Sequence, residues 1–395
     1  MIFMMISLKI YMSKKIGFIL EFFPPNKLSS ATMPFQIAEY LLQKNHTVSI
    51  LTSKENNDEN FNMELKIKYN KLVINRFKYY RSKRNKLSKI FSFFSFFFNT
   101  LFRMKSFKNF DFVFVFSNPP INSLIGYLIH KIYKVRIIFV IYDFYPDIAY
   151  FSNQIKHKSF SFKLFSYFNK LNYRNDNKVV VLSNDMKEFV NQKFPTFTKN
   201  IYVIPNWYKD SIDLFTSPFE SNKIKIGYFG NIGVTQDIES IKKILIKFKN
   251  NIKIEFNFAI HGNLVKDLKE FVNLNKIENI SFFPFLNEIE FHNLLKQQSF
   301  ILVTLNKNIQ KVASPSRVYS FFMAGKPIIL CQYGQSQLSR EIELNNLGYF
   351  LDLNNQEFLK NLTIDKTFNS KNIQAYAKKN NEMNICLDKY AAIVE

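Results

Sequence analysis

The feature that most constrains this chain is an alternation of short apolar runs with segments of helical period, repeated twice along its 395 residues. The first series comprises "KKIGFIL" (14–20), "HTVSILTS" (46–53), "DFVFVFS" (111–117), "VRIIFVIYD" (135–143), "KVVVLS" (178–183) and "IYVIP" (201–205). These runs are rich in β-branched and aromatic residues and too short for ordinary helices, so they read as strands. Between them lie stretches such as "TMPFQIAEYLLQKN" (32–45), where Ile37, Leu41 and Leu42 share one helical face. Apolar strands separated by helices predict a parallel sheet covered on both sides.

The pattern pauses at "NWYKDSIDLFTSPFESN" (206–222) and restarts at "KIKIGYFGN" (223–231). Strand-like runs follow at 253–262, 279–285, 300–305, 326–332 and 348–353, and the chain closes with helical sequence over 372–394. The expected architecture is α/β, with two Rossmann-like doubly wound domains at 13–207 and 223–370. A linker at 208–222 joins them, and C-terminal helices at 371–395 can cross back to the first domain. The length suits two cores better than one. Sheets of this kind bind ligands beyond the carboxyl ends of their strands, so two facing sheets predict a site in the cleft between them.

Composition narrows the partners. The chain carries 54 basic and 31 acidic residues, a formal charge of +23. Such an excess suits nucleic acid, an anionic membrane or anionic substrates. Abundant Phe, Lys, Asn and Ile with scarce Gly attribute part of it to AT-rich coding. No nucleic-acid motif is recognisable, which leaves a basic nucleic-acid-binding protein as the rival from another class, and no nucleic-acid partner is expected. Cys331 and Cys386 are far apart and outside any CxxC pattern, so a reducing, cytoplasmic setting is expected. The five histidines show no ligand spacing and there is no Asp-x-Asp, so no metal or other cofactor is expected. Residues 1–12, "MIFMMISLKIYM", lack the basic start and cleavage site of a signal peptide, and Met12 is the expected start. No run reaches the roughly 18 apolar residues of a membrane span.

The motifs come in a telling order: "EFFPP" (21–25), "SNPP" (117–120), "YDFYPD" (142–147), "VIPNW" (203–207), "GYFGNIG" (227–233), "HGN" (261–263) and "PSRVYSFFMAGKP" (315–327). From about Lys14 to the C-terminus the chain resembles the retaining glycosyltransferases of family 4, most closely the fucosamine-transferase-like branch of surface polysaccharide assembly. The resemblance implies the GT-B fold. It also implies sugar transfer from a nucleotide-sugar donor to a lipid-linked glycan acceptor, without a metal at the reaction centre. A nucleotide-sugar epimerase is the rival within the same fold.

Donor residues follow from matching positions. Pro315 and Ser316 suit a first helical turn, where proline fits and serine caps free N–H groups that can hold phosphate. Arg317 adds a planar fork of donors suited to a diphosphate. Ser320 stands where many relatives carry a ribose-binding glutamate, and Val312 stands at the partner position eight residues earlier. Gly230, Gly233 and Gly262 are candidates for close backbone approach. Asn231 and Gln236 fill positions where many relatives have a basic pair, which increases the weight on Arg317.

Asp143 ends a strand and is the expected catalytic carboxylate, accepting the proton of the acceptor hydroxyl or orienting the acceptor. Asp147 is a weaker candidate. The loop "EFFPPNKLSS" (21–30) is expected to shape the acceptor side.

One segment stands apart. Residues 71–110 contain no acidic side chain, and their centre, 81–105, is "RSKRNKLSKIFSFFSFFFNTLFRMK". Leu87, Ile90, Phe91, Phe94, Phe98 and Leu101 can share a helical face, flanked by Lys83, Arg84, Lys86, Lys89, Arg103 and Lys105. Its apolar part is about 13 residues, roughly 20 Å as helix, which is short of a bilayer core. The segment is expected to lie flat on an anionic membrane at the cytoplasmic face; a buried helix with snorkelling lysines is the alternative.

Overall fold

The computed structural model describes residues 13–208 and 223–395, apart from 57, 82–85, 175, 198, 285, 361–363 and 365–367. The expected linker, 208–222, lies outside the described residues except for Tyr208, as do residues 1–12.

Two parallel sheets organise the chain. The first contains β1 (Lys15–Ile19), β2 (Thr47–Ser53), β3 (Leu72–Phe77), β4 (Phe112–Phe116), β5 (Arg136–Ile141), β6 (Lys178–Val181) and β7 (Ile201–Val203), in the order β3-β2-β1-β4-β5-β6-β7. The second contains β8 (Ile224–Asn231), β9 (Ile254–His261), β10 (Ile280–Phe283), β11 (Phe300–Thr304), β12 (Ile328–Gln332) and β13 (Gly348–Asp352), in the order β10-β9-β8-β11-β12-β13. Among the described residues, all strand pairings within the two sheets are parallel. The central strands are buried on both faces, as their unbroken apolar sequences require: Phe18, Phe114 and Val140 on one side of the first sheet, Val113, Ile137 and Phe139 on the other. Phe18 and Phe114 stack with ring centroids 4.7 Å apart. Each such ring contributes about 1.5–3 kcal/mol through burial.

Strand order reverses between β1 and β4 in one sheet and between β8 and β11 in the other. At these switch points the connecting helices diverge to opposite faces and open a crevice at the strands' carboxyl ends. The crevice therefore receives the loops after Ile19, Phe116, Asn231 and Thr304, which hold four of the sequence motifs or their neighbours.

The C-terminal helices do cross back. Helix Met383–Val394 packs on helix Ser29–Gln43, and its Leu387, Tyr390 and Ile393 join the core containing Ile37, Leu41 and Trp207. The Lys178 ammonium donates to the Ile393 carbonyl. The two lobes also meet where the Asp185 carboxylate accepts the Gln337 N–H (2.8 Å) and pairs with Arg340 (3.6 Å).

Two expectations change. β3 is a strand that the sequence analysis does not include, because its sequence "LVINRF" mixes Asn and Arg with apolar residues; as an edge strand it leaves Val73 and Asn75 exposed. The helix expected to begin at Pro315 begins at Val318 and runs only to Met323.

Candidate functional site

β5 runs out at Ile141 and delivers Tyr142 and Asp143 to the crevice. Both backbone N–H groups donate to the Ser117 hydroxyl, at 3.2 and 3.4 Å. The backbone of Asp143 then forms an antiparallel bridge with Ala313 of the second lobe, and the Phe144 N–H donates to the Val312 carbonyl at 2.7 Å. The carboxylate is thus held against the segment leading into Ser314–Arg317. An inner cavity of about 320 Å³ opens there, lined by Asp143, Tyr228, Asn231, Gln236, Thr304, Pro315, Ser316 and Arg317, among others. Water reaches Asp143 through the cleft, but both lobes wall it in. Lost solvation pushes its carboxyl up to about 6.

Arg317 occupies the N-cap position of helix Val318–Met323, and no side chain caps that helix. Ser316 therefore does not serve as the expected cap, and a six-residue helix offers little dipole. The anion-binding role assigned to the helix start falls instead on the guanidinium. That group lies over Gly230, whose φ of +122° is open to glycine. A Cβ at 230 would stand 2.9 Å from the Arg317 Cζ and nearer still to Nη1. Desolvation lowers the pKa of Arg317, with Tyr228 opposing in part, and the guanidinium stays charged.

The turn after β8 supports this arrangement. The Gly233 N–H donates to the Gln236 side chain at 2.9 Å, and the Ile232 N–H donates to the His261 carbonyl at 2.7 Å. Gly262, at φ +124°, leaves the space that the Ile232 carbonyl and the Asn231 side chain occupy. Gly233 and Gly262 thus shape the wall, whereas Asn231 and Gln236 face the cavity.

Two further cavities adjoin Arg317. One of about 420 Å³ is lined by Lys27, Gly230, His261, Phe291, Arg317 and Ser320, among others. Desolvation and then the Arg317 charge hold the His261 imidazole below its usual pKa. The other, of about 720 Å³, reaches from Ser316, Arg317 and Ser320 across to Lys27, Thr32, Gln36, Asn206 and Trp207 of the first lobe. The Trp207 indole N–H donates to the Gln36 side chain at 2.8 Å. The Asn206 Oδ1 is buried and, among the described residues, has no hydrogen-bond partner.

The structure therefore gathers Asp143, Gly230, Asn231, Gln236, Pro315, Ser316, Arg317 and Ser320 around adjoining cavities. Asp147 is elsewhere engaged: it is buried and paired with Lys193. Sequence reasoning missed Tyr228, Thr304, Lys27 and Asn206 as lining residues. Thr304 ends β11 at a switch point, a position that topology marks and composition does not. Among the described residues, no group of three or more His, Cys, Asp or Glu side chains is placed to hold a metal ion. Cys331 and Cys386 are buried free thiols.

Comparison with known proteins shows what this chain is similar to. The description "Glycosyltransferase Family 4" matches residues 31–211. That match falls on the first lobe and the start of the segment that follows it. A curated relative, the probable glycosyltransferase WbjE of Pseudomonas aeruginosa, is 24% identical over 249 residues. That match covers 60% of this chain and 62% of the relative, so the chain spans about three fifths of that protein's length. Two solved structures share the two-lobed fold. Anabaena Alr3699/HepE in complex with UDP and glucose superimposes with a TM-score of 0.65 at 13% identity, covering 96% of this chain and 98% of that one. WaaG, a glycosyltransferase involved in lipopolysaccharide biosynthesis, gives 0.68 at 11% identity, covering 96% and 99%. At such identities the likeness shows the fold alone, and it embraces both lobes.

Proposed function

We propose that this chain is a retaining glycosyltransferase of the fucosamine-transferase-like branch, which moves a sugar from a nucleotide-sugar donor to a lipid-linked glycan in surface polysaccharide assembly. The observation that carries the reading is the Asp143–Ala313 bridge. It sets a carboxylate of one lobe and a guanidinium of the other on the same cavity. A carboxylate whose pKa is near 6 accepts a proton better than an ordinary one while remaining ionised at neutral pH. Arg317 suits the leaving diphosphate. In the proposed step the bond from the sugar's anomeric carbon to the phosphate oxygen breaks. The acceptor oxygen bonds to the same carbon from the same face, and its proton passes to Asp143. The diphosphate departs with the bonding pair, its charge met by Arg317.

The 720 Å³ cavity supports an acceptor, which an epimerase would not need. Its Asn206 oxygen suits a sugar hydroxyl donor, and an edge of the largely buried Trp207 adds an apolar contact. Helix Ser29–Gln43 opens on this cavity without a side-chain cap or an acidic residue in its first turn, so its dipole favours an anionic group there.

Helix Lys86–Arg103 supports membrane docking at the cytoplasmic face. Phe91, Phe94, Phe98 and Phe102 point outward, with exposures of 65, 54, 48 and 79%. Ser88, Ser92, Phe96 and Thr100 face the protein. The outward stripe differs from the expected one in gaining Phe102 and losing Leu101, which packs inward. Residues 82–85 and the side chains of Lys86, Leu87, Lys89 and Ile90 lie outside the described residues; exposed Arg103 and Lys105 supply positive charge at the other end. Among the described residues no helix is long and apolar enough to cross a membrane.

The deciding experiment is a thermal-shift screen with UDP-, GDP- and dTDP-sugars, followed by product analysis with a lipid-linked acceptor. Stabilisation by one base class and a product of retained anomeric configuration are expected. No stabilisation by any donor, or hydrolysis without transfer, would refute the reading.

A further inference from the structure

The charge around the cavities is short by one cation. A nucleoside diphosphate sugar carries a negative charge on each phosphate. Among the described residues, the lysine and arginine side chains lining the three cavities are Arg317 and Lys27. Asp143 and Glu288 also line them, so the local balance is not otherwise positive. Asn231 and Gln236, on the turn beside Arg317, are neutral.

Lys27 belongs to the opposite lobe, and its loop is braced. The Arg76 guanidinium donates to the Pro24 carbonyl, and the same side chain pairs with buried Asp58 at 3.4 Å. The Asn26 N–H donates to the Phe23 carbonyl at 3.3 Å, and the Asn26 side-chain oxygen accepts the Leu28 N–H at 3.0 Å. Lys27 is the residue spanned by this last bond. Its exposed side chain lines both cavities that Arg317, His261 and Ser320 share.

We infer that Lys27 reaches across the cleft and supplies the second positive charge for the donor's diphosphate, opposite Arg317. The inference rests on the glycosyltransferase reading and adds a residue that the second lobe cannot provide. A long, flexible lysine suits this task, since its point charge tolerates changes in cleft width.

The test is calorimetry of UDP, GDP and dTDP, and of the matching monophosphates, with wild type, Lys27→Gln and Lys27→Arg, without acceptor. For the diphosphate that binds, Lys27→Gln is expected to weaken affinity about tenfold, as for one charge-assisted hydrogen bond. The monophosphate loses much less, and Lys27→Arg restores most of the diphosphate affinity. The gap between wild type and Lys27→Gln narrows in high salt. Lys27 is exposed and outside regular structure, so the variants are expected to melt with wild type. If wild type binds a diphosphate and Lys27→Gln binds it equally well, Lys27 is not a donor residue and the inference falls alone. A rise in acceptor KM with unchanged diphosphate affinity would overturn it in favour of an acceptor role. If wild type binds none of the three diphosphates, the donor site itself fails and takes this inference with it.

Discussion

Gly230→Ala tests the site without removing any group that contacts a ligand. Two effects are built into the change. The backbone at 230 has φ +122°, a region that alanine enters at a cost of about 1–3 kcal/mol. The new methyl also meets Arg317, 2.9 Å from Cζ, where the guanidinium now lies. The backbone cost appears as lost stability, on the order of 2–10 °C in Tm for a lobe of this size. The displaced guanidinium appears as lost donor affinity. A hydrogen bond to a charged group contributes about 1.5–3 kcal/mol, hence roughly 10- to 150-fold in Kd. The assay is calorimetry of the preferred nucleoside diphosphate with wild type, Gly230→Ala, Arg317→Ala and the double variant. Because the affinity effect of Gly230→Ala runs through Arg317, the double variant should bind no worse than Arg317→Ala alone, within about 0.5 kcal/mol. Its Tm should still fall. Additive affinity losses, or wild-type affinity in Gly230→Ala, would show that Arg317 does not hold the diphosphate from its place over Gly230.

Two other substitutions probe the chemistry and the surface. Asp143→Asn should cut turnover about 10²- to 10⁴-fold with donor affinity unchanged; the ionised carboxylate is the proton acceptor, so wild-type kcat should rise with pH through about 6 and level off above it. A wild-type profile flat between pH 5 and 8, or turnover retained in the variant, would remove Asp143 from the proton transfer. Phe94→Ser with Phe98→Ser should leave Tm nearly unchanged, because both rings are about half exposed, and should weaken sedimentation with anionic vesicles by about 1 kcal/mol per ring. Wild-type vesicle binding together with a large fall in Tm would make the stripe part of the core. High salt should weaken vesicle binding of the wild type as well.

The strand runs were legible because a parallel sheet buried on both faces leaves an unbroken apolar signature, as in "FVFVF" and "RIIFVI". β3 was not, because an edge strand needs only one apolar face and admits Asn75 and Arg76. The places of Arg317 and Asp143 on one cavity were legible from motif order, and that of Asp143 also from its position after a strand. The place of Lys27 was not, because it depends on which lobe faces which loop, and a local window carries no such information. The helix start at Val318 was also hidden: the bond from the Val318 N–H to the Pro315 carbonyl closes a turn ahead of the helix, where proline and serine read equally well as a first turn.

Helix Lys86–Arg103 shows a different limit. Its period was visible, but a period does not say which face turns inward. The hydrophobic rule would bury the phenylalanines; instead Ser88, Ser92 and Thr100 face the protein beside Phe96, which packs on Phe77 and Tyr79. Small polar residues let the helix approach closely, and the Thr100 hydroxyl satisfies itself on the Phe96 carbonyl at 2.9 Å. Four rings are thereby left outward on a segment without acidic residues. Four exposed rings on one stripe form an apolar patch of the kind that marks an interaction surface, and the proposed membrane docking is tested there through Phe94 and Phe98.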